Sequence, residues 1–120
     1  MSRQTQEVKR KLTRINAELL NEIEHYENPE EKPAYDFDRL VAMQNQIQAD
    51  ITFLEECVEQ SKADKSDPLT VFRTAVLAEY RDIMNLPTTT ENPEKELIIR
   101  GGRIDARFHT THIAEKASRR

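Results

Sequence analysis

Asp105, His109 and His112 come nearest, in this 120-residue chain, to residues that could do chemistry. Their spacing of four and three puts them on one face if the segment is helical. Two imidazoles and a carboxylate on one face can bind a transition metal. We adopt the competing reading, a polar and solvated face near the chain end. The remaining histidine, His25, is expected to be exposed beside a turn. Cys57 is read as a small packing residue on a helix. There is no glycine-rich phosphate loop and no nucleophile motif. No catalytic residue, metal site, cofactor or small-molecule substrate is therefore expected.

The C-terminal segment carries a different kind of chemistry. Arg100, Arg103, Arg107, Lys116, Arg119 and Arg120 are basic, and Phe108 is the one aromatic residue among them. Gly101 and Gly102 are the only glycines in the chain. These nine residues form the candidate partner-binding segment. Such charges can contact phosphates, as in nucleic-acid binders, but no known DNA-reading motif accompanies them. They can equally dock on an acidic protein surface. Residues 1–14 hold five basic residues against one acid, and residues 100–120 hold six against two, so each end is net +4. Residues 15–99 hold seven basic and nineteen acidic residues, net −12. Basic ends around an acidic middle favour self-association by complementarity.

Helices must position these groups. Two glycines and five prolines are few for an all-β protein, and good helix formers dominate the composition. From about Gln4 to Tyr26, apolar residues recur at Val8, Leu12, Ile15, Leu19, Ile23 and Tyr26, a helical period. Asn28-Pro29 breaks this segment and residues 30–33 form a polar link. A second segment starts near Asp36, read as an N-cap, and runs to about Ser61. Its stripe is Phe37, Leu40, Gln44, Ile47, Ile51, Leu54 and Val58, alternating steps of three and four. Folded back, Tyr26 meets Phe37, Ile23 meets Leu40, Leu12 meets Ile51 and Val8 meets Leu54. Paired numbers sum to 62 or 63, as an antiparallel hairpin requires. Lys9, Lys11 and Arg14 then lie near Glu55, Glu56 and Glu59. Gln44 either reaches water at the rim or fixes register.

A two-helix hairpin is marginal alone. Leu20, Val41, Met43, Phe53 and Cys57 lie off its seam and need cover, from the rest of the chain or from another subunit. After a polar linker at 61–66, Asp67-Pro68 is a helix start. The stripe Leu69, Phe72, Val76, Tyr80 and Ile83 follows it to about Leu86, and Pro87 with Thr88–Thr90 ends it. Asn92-Pro93-Glu94 repeats the start signal.

ELIIRGGRIDARF, residues 96–108, fits two structures. Gly-Gly between apolar runs is a hairpin-turn signal. Against it, Leu97, Gly101, Ile104 and Phe108 recur at helical steps, Glu96 precedes Arg100 by four, and no third strand is evident. We favour the helix, with the glycines admitting a neighbouring backbone; two shorter helices with a kink between them are a compromise. The same thirteen residues resemble helical segments of small bacteriophage head and packaging proteins, where a glycine-arginine pair sits inside an amphipathic helix. The doubled glycine and the missing leucine-rich continuation after Phe108 depart from that pattern, and it carries over no functional residue.

The expected fold is all-α: a long antiparallel helical hairpin over residues 1–66, then a C-terminal region over 67–120 with two shorter helices and a basic tail. The expected function is a non-enzymatic assembly protein, a subunit or adaptor of a homomeric or phage-like particle. The alternative is a nucleic-acid-associated packaging or regulatory protein using the tail. No apolar run approaches the ~20 residues of a membrane span. The N-terminus MSRQTQEVKRKL lacks the apolar stretch of a secretory signal. With one cysteine there is no internal disulfide, so the cytoplasm or an assembled particle is the expected location.

Overall fold

The computed structural model describes residues 2–26, 37–87 and 91–118. The chain is all-α: α1 (Arg3–Glu24), α2 (Phe37–Asp64), α3 (Pro68–Asn85) and α4 (Pro93–Ser118). The boundary signals at Asp36, at 28–33 and at 88–90 lie outside the described residues, as do Arg119 and Arg120.

Local chemistry fixes most of the helix ends. The Ser2 hydroxyl accepts from the Thr5 amide at 3.2 Å and so caps α1. Asp67 caps α3 with Pro68 in the first turn, although its carboxylate accepts from the Thr70 hydroxyl at 2.6 Å rather than from an amide. Asn92 accepts from the Lys95 amide at 3.2 Å, and Glu94 and Glu96 sit in the first turn of α4. α2 runs on to Asp64, past the Ser61 expected from the sequence. Residues 61–64 hold no proline or glycine, and Lys62 pairs with Glu59 at 3.0 Å. Lys65 ends the helix at φ 59, and its amide donates to Ser61 O. This left-handed position is usually glycine's.

The hairpin has the register read from the numbering. Val8, Leu12, Leu19, Leu40, Ile47, Ile51 and Leu54 are buried in one cluster. The Tyr26 and Phe37 rings lie 5.2 Å apart at the turn. Lys9 faces Glu55 at 3.7 Å, whereas Lys11 turns to Glu7 on its own helix. Buried Asn16 ties the seam. It donates to Gln48 at 2.9 Å and accepts from Gln44 at 3.0 Å, so half-buried Gln44 contributes to the register.

The remainder of the chain covers the second face of α2. Phe72 of α3 is fully buried, its ring 5.7 Å from Phe53. Met43 and Cys57 are buried as well. Leu20 stays 47% exposed on α1.

α4 passes through both glycines as one helix of 26 residues, with neither glycine at positive φ. The stripe Leu97, Gly101, Ile104 and Phe108 is not its buried face, since Leu97 and Phe108 are 54% and 61% exposed. The buried face is one position over: Gly102, Ala106, Thr110, Ala114 and Ala117. These small side chains let α4 lie close against its neighbours, and the packing offsets the ~1 kcal/mol each glycine costs a helix.

Candidate functional site

α2 and α4 approach each other closely at Gly102. A Cβ there would lie 2.6 Å from the Arg39 carbonyl oxygen and 3.0 Å from Ala42 Cβ. Only glycine fits, because the obstacle is backbone. At Gly101 a Cβ would meet only the Arg39 guanidinium, at 3.4 Å or more, which is ordinary contact. Arg39 lies across this bare surface and reaches Asp105 one turn along, through Nε at 3.0 Å and Nη2 at 2.6 Å. Asp105, the carboxylate of the possible metal face, is thus engaged by a guanidinium, while His109 and His112 are exposed. Among the described residues no group of three or more His, Cys, Asp or Glu could hold a metal ion.

One turn further along α4, a buried ion cluster joins α2, α3 and α4. Arg107, 3% exposed, donates through Nη1 to Asp50 Oδ1 and through Nη2 to Glu79 Oε2. Fully buried Asp50 also accepts from Thr110 Oγ1 at 2.7 Å and from Gln46 Nε2 at 3.2 Å. Arg103 closes the rim, 3.6 Å from Glu79 and 3.4 Å from Gln46. Arg107 Nε is buried without a partner. Burial pushes the Asp50 carboxyl above its ordinary range, and the Arg107 charge and the hydrogen bonds from Thr110 and Gln46 only partly oppose it. Taking Arg107 and Asp50 out of water offsets much of their attraction, so the cluster adds little net stability.

The nine candidate partner-binding residues therefore have different surroundings. Gly101, Gly102 and Arg107 face the chain's own helices. Arg100 pairs with Glu96 at 3.1 Å, and Arg103 with Glu79. Phe108 and Lys116 are exposed. Arg119 and Arg120 lie outside the described residues. The sequence reading missed Asp50, Gln46, Glu79 and Thr110. A signal for two of them existed: Met43, Gln46, Asp50, Phe53 and Cys57 form a second stripe on α2 with steps of three and four.

Phe108 stands over a groove between α3 and α4. Leu77 and Tyr80 form one wall, and Phe108, Thr111, His112 and Glu115 the other, around about 260 Å³. The hydroxyl of Thr111 is buried without a partner beside it. This space is smaller than the ~300–1,000 Å³ of small-molecule sites, and it suits one or two side chains of a partner. No helix among the described residues is long and apolar enough to cross a membrane.

Comparison of the chain with protein-family models, with curated proteins and with solved structures gave no match.

Proposed function

We propose that this chain is a non-enzymatic structural protein, a subunit or adaptor of a larger homomeric or phage-like particle, working in the cytoplasm or within that particle. The single observation carrying this reading is Phe108, at 61% exposure the most exposed large apolar side chain among the described residues, held over an apolar groove by α4. Aromatic side chains displayed in this way are typical anchors of protein interfaces. Leu97, Met84 and Leu86, each about half exposed, add apolar surface on the same two helices and the segment joining them.

The alternative, a packaging or regulatory protein using its basic tail on nucleic acid, has less support. Three of its six basic residues, Arg100, Arg103 and Arg107, already have acidic partners in the chain. Lys116, Arg119 and Arg120 remain for phosphates. Multi-angle light scattering of wild type and Phe108→Ser tests the assembly reading. The expected result is a mass above one protomer that falls in the variant. Equal masses for the two proteins would remove Phe108 as the anchor. Steeply salt-dependent DNA or RNA binding, lost on deleting Ala114 to Arg120, would favour the alternative instead.

A further inference from the structure

We infer that the first half of α1 and the end of α4 form one basic surface that binds the phosphate backbone of a nucleic acid. This goes beyond the assembly reading and does not rest on it, because the Phe108 groove lies between α4 and α3.

Arg3, Arg10 and Arg14 are exposed on α1. With ~3.6 residues per turn, Arg10 and Arg14 fall within about 20° of Arg3 around the helix, opposite buried Leu12. Arg10 and Arg14 are about 6 Å apart along the axis, and Arg3 is about 10 Å from Arg10. None of the three makes an ion pair with another described residue. Arg14, expected near Glu55, Glu56 and Glu59, thus pairs with none of them, and only Lys9 reaches Glu55 on that flank. Arg3 stands in the first turn, where the helix dipole disfavours a cation and where there is no acid. The row is therefore not there to stabilise α1.

α4 extends the row sideways. Glu7 and Lys11 of α1 and Lys116 and Ala117 of α4 line one groove of about 190 Å³. The two positive segments of the sequence, residues 1–14 and 100–120, therefore meet on one side of the bundle. Lys116 is exposed, Lys11 lies 3.4 Å from Glu7, and Glu115 turns to the α3 side. Five basic side chains thus stand around one acid, Glu7, and Glu18 bounds the surface one turn past Arg14. A single-sign row suits a partner whose charge is itself single-signed and continuous. Each nucleic-acid strand carries a phosphate every ~3.4 Å, so it can meet all of these cations at once. The guanidinium fork also matches phosphate oxygens. The exposed residues beside the row, Gln6, Thr13 and Ala17, include no aromatic ring to stack on bases. The contact is then with the backbone and indifferent to sequence.

The test is fluorescence anisotropy of the full chain with a labelled duplex DNA of about 20 base pairs and mixed sequence, over a salt series. The logarithm of the affinity should fall against the logarithm of salt with a slope of about −4. Arg10→Gln with Arg14→Gln should weaken binding on the order of tenfold at low salt and reduce the slope by about two. Both positions are exposed and glutamine is nearly as good a helix former, so the variant folds. Lys116→Gln should reduce the slope by about one, and Arg81→Gln, exposed on α3, should change nothing. No binding at low salt, or slopes unmoved by the α1 or Lys116 changes, overturns the inference. So does polyglutamate competing as well as DNA at equal charge, which would make the partner an acidic protein. Binding lost on deleting Ala114 to Arg120 but untouched by the α1 changes would belong to the tail alone and overturns it too. Phe108→Ser should leave DNA binding unchanged, so this inference and the assembly reading fail separately.

Discussion

Replacing Gly102 by alanine adds one methyl group where the backbones of α2 and α4 come close. Its carbon would sit 2.6 Å from the Arg39 carbonyl oxygen, 3.0 Å from Ala42 Cβ and 3.3 Å from the Met43 amide nitrogen. A carbon and a carbonyl oxygen in contact normally rest ~3.3–3.6 Å apart. The two helices must therefore part by about 0.7 Å, and two of the three obstacles are main-chain atoms that cannot rotate away. Overpacking of this kind costs ~1–3 kcal/mol, while alanine returns ~1 kcal/mol of helix propensity. The net expectation is a loss of about 1 kcal/mol, or roughly 4 °C in Tm for a chain of this size. The same change at Gly101 meets only the movable Arg39 guanidinium at 3.4 Å or more. It should keep most of the propensity gain and raise Tm by roughly 4 °C. Thermal unfolding followed by circular dichroism at the helix band compares the two variants directly. If Gly102→Ala is as stabilising as Gly101→Ala, the close crossing of α2 and α4 is wrong.

Other consequences are as definite. Burial raises the Asp50 carboxyl above 3.8, so the folded chain takes up this proton more readily than the unfolded one. Its contribution to stability then grows as pH falls from the raised value towards 3.8, and is lost as pH rises through it. Asp50→Asn puts a neutral group of the same shape in its place, as protonation does, and leaves Arg107 its Glu79 partner, so at neutral pH it should cost well under the ~3–5 kcal/mol of a broken buried ion pair. The Tm gap between wild type and this variant should widen between pH 7 and pH 4.5; a narrowing gap would mean that Arg107 outweighs burial. Cys57 is buried, and desolvation, aided by the Glu56 charge, raises its thiol above 9.0. It should react with a chromogenic disulfide reagent only after denaturation, and rapid labelling of the native protein at pH 7 would contradict its placement. Lys65→Gly should stabilise by roughly 0.5–1 kcal/mol, because Lys65 holds a left-handed conformation at φ 59. An unchanged denaturant midpoint would argue against that helix end.

The hairpin was legible because large apolar residues mark both of its helices at matching intervals, so Leu12 opposite Ile51 follows from counting. The Asp67-Pro68 and Asn92-Pro93 starts were legible because capping is local chemistry. The face that α4 buries was not. It consists of Gly102, Ala106, Thr110, Ala114 and Ala117, whose small side chains give little hydrophobic signal. Counting bulky residues picked Leu97 and Phe108 instead, and these point outward. Arg107 looked like part of a free basic tail for a related reason. Its partner Asp50 is 57 positions away and meets it only once α4 has folded onto α2. Gly102 shows the opposite case. The expectation that a backbone passes close to the glycines was met, by the Arg39 carbonyl.

The central claim is that α4 turns its small face and Arg107 inward and offers Phe108 to another molecule. Its most direct test is the mass of the purified chain by light scattering over a concentration series at low and high salt. The predicted result is a mass that rises with concentration to multiples of the 14.0 kDa protomer. A single 14.0 kDa species at every concentration and both salts would contradict it.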